Sequence, residues 1–228
     1  CSNYGAAGPE LLDENAPLNP VTPYAVSKVA CEEQLDRLAS PGFSPVYLRS
    51  ATAYGLSPRL RFDLVVNNLT AWAVATGEVR LKSDGKAWRP LVHVRDIARA
   101  FLLLLEADRA LVHAQAFNVG RNDEIYQIRD IANIVNAAVG GSQITSVDSP
   151  IADPRNYRVD CSKIRRLGFS PDWTVPVGVQ ELLAAFRSAG LRTEDFEGPR
   201  FQRVAQIRHL MNSGEIDAGL RRRQAQFA

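Results

Sequence analysis

What most constrains this chain is an alternation along most of its length: stretches with apolar residues at helical spacing are separated by short apolar runs of strand type. Thr22 is a good N-cap with Pro23 at the first helical position, and Val26, Val29, Ala30 and Leu35 keep helical spacing as far as Leu38. Pro41-Gly42 ends that run, Val46 to Leu48 reads as a strand stopping at Ser50, and Tyr54-Gly55 as a turn. Leu64, Val65, Leu69, Trp72 and Ala73 mark a second helix stopped by Gly77, followed by a strand at Val79 to Leu81. After an Asp84-Gly85 turn, Leu91-Val92 reads as a short strand, Asp96 to Ala107 as a buried helix and Phe117 to Val119 as another strand. Ile128 to Val139 is a helix closed by Gly140-Gly141, and Val175 to Ala189 with Phe201 to Asn212 form a second small αβ region. Residues 6 to 21, with Gly8-Pro9, Pro17 and Asn19-Pro20, read as an irregular surface loop.

Helices alternating with short apolar strands predict an α/β layer fold, in which ligands gather beyond the strand ends. The later part is less regular. It reads as a smaller cap, built from about residue 56 to 96 and from 121 to 228, over a sheet domain of residues 1 to 55 and 97 to 120.

The charge balance excludes some functions. A net charge of +2 is too small for a general nucleic-acid or membrane surface. Cys1, Cys31 and Cys161 are far apart and form no CxxC pair, so neither a zinc site nor a disulfide framework is expected, and a reducing cytoplasm fits. The longest apolar run, Phe101 to Leu105, falls far short of the roughly 20 residues that span a bilayer. The chain begins at Cys1, its single methionine is Met211, and the tight-turn sequence Cys1 to Gly5 has no strand before it. The expectation is a chain cut from a longer one.

The strongest local signal is Tyr24-Ala25-Val26-Ser27-Lys28, because a spacing of four puts phenol and ammonium on one helix face. For a phenol to act as a base near neutral pH it needs a cation beside it and a helix N-terminus below it, both of which favour a phenolate. This position offers both. His93, between apolar neighbours, is expected as a hydrogen-bonded core residue, Arg221 to Arg223 as a solvated charge run, and Gly5 to Gly8 as no phosphate loop, since no strand–glycine–helix arrangement surrounds it.

Around the tyrosine, motifs follow in a recognisable order: Cys1-Ser2-Asn3-Tyr4-Gly5, Glu14 and Pro17, Asn19-Pro20, and Tyr24 to Lys28. Then come Leu48-Arg49 with Tyr54-Gly55, Asn67-Asn68-Leu69, Arg89 to Asp96, Phe117 to Gly120 and Asp160-Cys161-Ser162-Lys163. In these residues the chain resembles the nucleotide-sugar epimerase/dehydratase branch of the extended short-chain dehydrogenases, of the UDP-glucose 4-epimerase type. The resemblance implies the C-terminal portion of a Rossmann-type doubly wound parallel sheet with a smaller α/β substrate-binding cap. It implies that Tyr24 exchanges the proton of a sugar hydroxyl while hydride moves to or from nicotinamide. Lys28 would hold the nicotinamide ribose and favour the ionised phenol. The serine or threonine that completes the family trio would fall just ahead of Cys1, and Ser2 lies close enough to line the sugar. Ser50 and Thr52 sit where the family touches nicotinamide and substrate. Asn68 and Arg89 match positions that hold the nucleotide diphosphate, which an arginine fork suits, while Arg155 and Tyr157 lie where the closing loop contributes; Val79 to Leu81 would pass the nucleobase.

In the family's 4,6-dehydratases the two residues after that serine or threonine are an acid pair, because loss of water needs a general acid and base. Here they are Cys1 and Ser2, which favours epimerisation or keto-reduction. The resemblance further implies NAD as cofactor, NADP remaining open because the selector residue is not in this chain, and a nucleotide-diphosphate sugar as substrate. It also implies a homodimer of the full-length protein through the tyrosine-bearing helix. No glycine-rich turn of the kind that holds a pyrophosphate is found in the sequence, so the 228 residues alone are expected to turn over little. A ketoreductase, a dehydratase or a non-catalytic sugar-nucleotide-binding regulator are the alternatives.

Overall fold

The computed structural model describes residues 1–141, 143–146 and 156–223. After a short 3-10 turn at Ser2–Tyr4 come β1 (Ala6–Leu12), α1 (Pro23–Leu38), β2 (Val46–Ser50), β3 (Thr52–Tyr54), α2 (Val65–Thr76), β4 (Glu78–Leu81) and β5 (Trp88–His93). They are followed by α3 (Val94–Glu106), α4 (Arg109–Val112), β6 (Gln115–Val119), β7 (Ile125–Gln127), α5 (Ile128–Val139), β8 (Gln143–Ser146) and β9 (Asn156–Val159). Four helices finish the described chain: α6 (Ser162–Arg165), α7 (Val175–Ser188), α8 (Thr193–Glu197) and α9 (Arg203–Asn212).

Among the described strands pairing is parallel for β2 with β6, β3 with β5, β1 with β9 and β4 with β8, and antiparallel for β5 with β7. Parallel neighbours need long crossovers with helices on the faces, and the order of elements supplies them: α2, α3 and α4 all lie between β2 and its partner β6. The fold is α/β, as the alternation predicts.

Three apolar clusters hold it. The largest joins α2 (Val66, Leu69, Ala73), α5 (Ile131, Val135) and α7 (Val179, Leu182, Phe186) to Val79 and Leu91. Phe62 anchors it through ring contacts with Phe186, Phe196 and Phe201 at 5.3, 5.4 and 4.8 Å. A second cluster packs α3 (Ala100, Leu104) on the strand residues Val92, Phe117 and Val119, with Ile164 and Phe169. A third gathers Tyr4, Tyr157, Val159 and Cys161.

Several local expectations need correction. Residues 6 to 21 are not all loop: Ala6–Leu12 forms β1, and its register with β9 shifts between Ala6 and Leu11, the interval that contains Gly8-Pro9. A proline has no N–H to give to a ladder, so the irregularity sits where pairing could not be regular. Helix α3 starts earlier than expected, with His93 as its N-cap, and it is not buried all round: it buries Asp96, Ala100 and Leu104 while Phe101, Leu102 and Leu105 are exposed. Its leucines circle the helix, and a helix lying on a sheet can bury only one stripe of them. From Val175 to Asn212 the described residues form helices and no strand, so that region is not αβ.

Candidate active site

Helix α1 opens as the sequence predicts. Thr22 is extended and its Oγ1 accepts the Ala25 N–H at 3.2 Å, while Pro23 occupies the first turn, where a missing N–H costs nothing. This fixes Tyr24 in the first turn. Tyr24 is 64% exposed, and the Lys28 ammonium lies 5.5 Å from its ring centroid. Both open onto a cleft of about 1160 Å³.

The same cleft is lined by Ser2, Ser50, Thr52 and Tyr157, so six of the nine residues singled out above meet in one place. Ser50 ends β2 and Thr52 begins β3, which puts the cleft at the carboxyl end of a parallel strand, where open α/β sheets receive ligands. The other three are placed differently. Asn68 does not line the cleft; its Nδ2 donates to the Phe62 carbonyl at 2.8 Å. The neighbouring Asn67 does line it, with Oδ1 accepting the Gly55 N–H at 3.0 Å and Nδ2 donating to the Arg61 carbonyl at 2.9 Å. Arg89 is buried behind the wall, its Nη1 donating to the Trp88 carbonyl at 2.8 Å and its guanidinium 5.8 Å from the Tyr157 ring centroid. Arg155 lies outside the described residues.

A polar network runs from the cleft wall, where Asn3, Glu32 and Arg49 line it, into the interior; all its members but Glu32 stand in the sequence motifs. Arg49 Nε and Nη2 grip both oxygens of Glu32 at 2.7 to 3.2 Å, and Nη1 donates to the Tyr4 hydroxyl at 3.1 Å and the Glu14 carbonyl at 3.0 Å. The Tyr4 hydroxyl donates to Asn118 Oδ1 at 2.8 Å, and Asn3 Nδ2 donates to Glu32 at 2.9 Å. Burial pushes the Tyr4 phenol above its usual range, partly opposed by the Arg49 hydrogen bond. Glu32 escaped notice because its partner is 17 residues away; the signal available was its position four residues beyond Lys28 on the same helix face.

His93 is fully buried, stacked on Trp173 at 3.9 Å and edge-on to Tyr54 at 5.2 Å. Its Nδ1 accepts the Arg95 N–H at 3.2 Å, so the ring proton resides on Nε2, which donates to Glu181 Oε2 at 2.9 Å. Burial lowers its pKa, the Glu181 bond partly opposing. It is the hydrogen-bonded core residue that was expected, and through Glu181, which also accepts the Leu56 N–H at 3.2 Å, it braces the cleft's rim.

Across the chain, 27% of residues over 191 positions are identical to a UDP-glucose 4-epimerase of Mycolicibacterium smegmatis, covering 82% of this chain and 60% of that one. A dTDP-glucose 4,6-dehydratase of Actinoplanes sp. is 29% identical, with 81% and 57% covered. Among solved structures, the UDP-glucuronic acid 4-epimerase of Bacillus cereus, in complex with UDP-glucuronic acid and NAD, superposes with a TM-score of 0.72 at 23% identity, covering 82% of this chain and 59% of that one. The chain thus spans about 60% of the length of the relatives it matches. The Rossmann-type α/β fold with its helices follows from these likenesses. With the family model for NAD-dependent epimerases and dehydratases matching residues 1–120, more than half of its length, the chain belongs to the NAD-dependent epimerase/dehydratase family.

Proposed function

We propose that this chain carries the sugar-side active site of an NAD-dependent nucleotide-sugar epimerase, with Tyr24 as the acid/base group and Lys28 as its activating cation. The observation that carries the reading is that Tyr24 and Lys28 share one face of α1 and open onto the cleft that Ser2, Ser50 and Thr52 also line. Tyr24 takes the proton of the sugar hydroxyl as the carbon is oxidised to a ketone and returns it when the carbonyl is reduced from the opposite face. Lys28 faces the ring from one turn further along α1. Ser2 and Thr52, which line the cleft, would hydrogen-bond the sugar, and Tyr157, with Arg89 behind it, would border the nucleotide diphosphate.

An exposed phenol and ammonium on the cleft wall fit the nicotinamide-ribose end of NAD, which when bound supplies the hydride acceptor and donor. Relatives with solved structures are complexed with NAD and with UDP-glucuronic acid or UDP-glucose, which supports NAD here and a nucleoside-diphosphate sugar as substrate. Epimerisation is favoured over dehydration because, among the described residues, Glu32 is the only carboxylate lining the cleft and both its oxygens are bound by Arg49. Elimination of water needs a free acid and base beside the sugar.

We assign residues 1–55 and 97–120 to the dinucleotide-binding part and 56–96 with 121–228 to the cap; the apolar cluster around α2, α5 and α7 supports a cap, while Val92, Ile164 and Phe169 of the cap segments pack with α3 against the sheet. The exposed Val26, Leu35 and Leu38 of α1 are offered as a self-association face.

The test is turnover by the gene's complete product with NAD and UDP-glucose, compared with Tyr24→Phe. Loss of a positioned acid/base group lowers kcat by about 10²- to 10⁴-fold; a Tyr24→Phe protein with full activity would remove the mechanism.

A further inference from the structure

We infer that Arg49 and Glu32 are positioning residues: their ion pair sets the rotation of α1, and so the placement of Tyr24 and Lys28 relative to Ser2 and Ser50. The inference deepens the function proposed above and rests on it.

The starting point is how little else holds the helix. Of the sixteen residues of α1 only Ala25 is buried. With only Val29 and Ala30 half-buried beside it, the helix gains modestly from apolar packing. Its cap, Thr22, anchors the start of the axis, and near its end the exposed Asp36 accepts the Tyr47 hydroxyl of β2 at 3.4 Å.

Glu32 supplies a firmer constraint. It lies four residues beyond Lys28 and eight beyond Tyr24, so the three side chains share one face. Its carboxylate takes three donors, Arg49 Nε, Arg49 Nη2 and Asn3 Nδ2, at 2.7 to 3.2 Å. The pair is largely buried, with 9% and 17% of the two side chains exposed. A planar guanidinium meeting a carboxylate through two parallel bonds fixes direction as well as distance.

The partners make this geometry bear on the cleft. Asn3 adjoins Ser2, and Arg49 adjoins Ser50. Arg49 is itself immobilised by the Tyr4 hydroxyl and the Glu14 carbonyl, and Tyr4 by Asn118, whose Nδ2 donates to the Leu12 and Asp160 carbonyls at 3.1 and 3.0 Å. One ion pair therefore references the helix that bears Tyr24 and Lys28 to the turn that bears Ser2 and to the end of β2. A shift of about 1 Å at a reacting group costs on the order of 10²-fold in rate, and the sugar, which Tyr24 and Ser2 would both touch, should sense the same error in binding.

The test compares the calorimetric affinity of the gene's complete product, with NAD bound, for UDP and for UDP-glucose, in the unsubstituted protein, Glu32→Gln and Arg49→Lys. Thermal midpoints are recorded beside the affinities. Glu32→Gln keeps the shape and removes the charge; Arg49→Lys keeps the charge and removes the fork. The expected result is that the unsubstituted chain prefers UDP-glucose, and that both variants lose this preference by about tenfold or more while UDP affinity is unchanged. If both variants bind UDP-glucose over UDP with the original ratio, or lose UDP affinity and thermal midpoint together, the pair has no positioning role and the inference falls alone. If the unsubstituted chain binds neither nucleotide, or binds UDP-glucose no better than UDP, the proposed site falls and takes the inference with it.

Discussion

Gly55→Ala should be among the most damaging single-methyl additions in this protein, and its cost can be worked from the structure. Gly55 has φ +100°, and a Cβ there would collide with the imidazole of His93. The backbone strain alone costs about 1–2 kcal/mol. The ring cannot yield cheaply, because it is fully buried, stacked 3.9 Å from Trp173 and bonded to Glu181 at 2.9 Å. Pushing it aside breaks a hydrogen bond to a charged group, worth about 1.5–3 kcal/mol. The sum is about 2.5–5 kcal/mol. Gly140→Ala is the control: φ is +92° with nothing within 4 Å of the added methyl, so it pays the strain without the collision. Denaturant unfolding of both variants isolates the contact as their difference, about 1.5–3 kcal/mol. For a chain of this size that equals a gap of about 3–12 °C in Tm. Equal stabilities for the two variants would refute the claim that His93 is locked in place.

The remaining predictions use the same buried groups. Asp96, fully buried, accepts the N–H groups of Asp172 and Trp173 at 3.1 and 3.0 Å and Arg99 Nη1 at 3.0 Å; Asp96→Asn should cost about 2–3 kcal/mol in urea unfolding, and a loss under 0.5 would contradict the assignment. Burial lowers the pKa of His93, so below its ordinary 6.5 the unfolded chain takes up a proton that the folded one resists. Stability should therefore fall as pH drops from 7 to 5, more steeply than in His93→Gln; equal slopes would show that His93 does not titrate differently on folding. Burial also pushes the Cys161 thiol up to about 12, whereas Cys31 is exposed. Iodoacetamide at pH 8 should thus label Cys31 and spare Cys161 until urea is added, as read by peptide mass spectrometry.

The features legible in the sequence are those whose physics is local. The Thr22 cap, the Pro23 start and the Tyr24/Lys28 pair depend on spacings of one to four residues, and all three stand as read. Pairings between distant segments were not legible. β1 was hidden because Gly8-Pro9 looks like loop chemistry, and its partner β9 lies some 150 residues on. Arg49 and Glu32 gave no sign of each other, since nothing in either one's neighbourhood specifies that strand β2 runs under the third turn of a helix. The Asn67-Asn68 pair shows a finer limit. A motif locates the amides, but which one faces the cleft depends on the helix starting at Val65, and successive residues point about 100° apart. Asn67 faces the cleft and Asn68 turns to Phe62.

The most direct test of the central claim follows deuterium from the C4 position of UDP-[4-²H]glucose through the gene's complete product with NAD, by mass and NMR. An epimerase that lifts and returns the same hydride across a sugar held at Tyr24 yields the C4-inverted UDP-sugar of unchanged mass, with deuterium still at C4, and yields none of it in Tyr24→Phe. A product lighter by the mass of water would instead assign dehydration to this cleft, and inversion that survives in Tyr24→Phe would contradict the account at its centre.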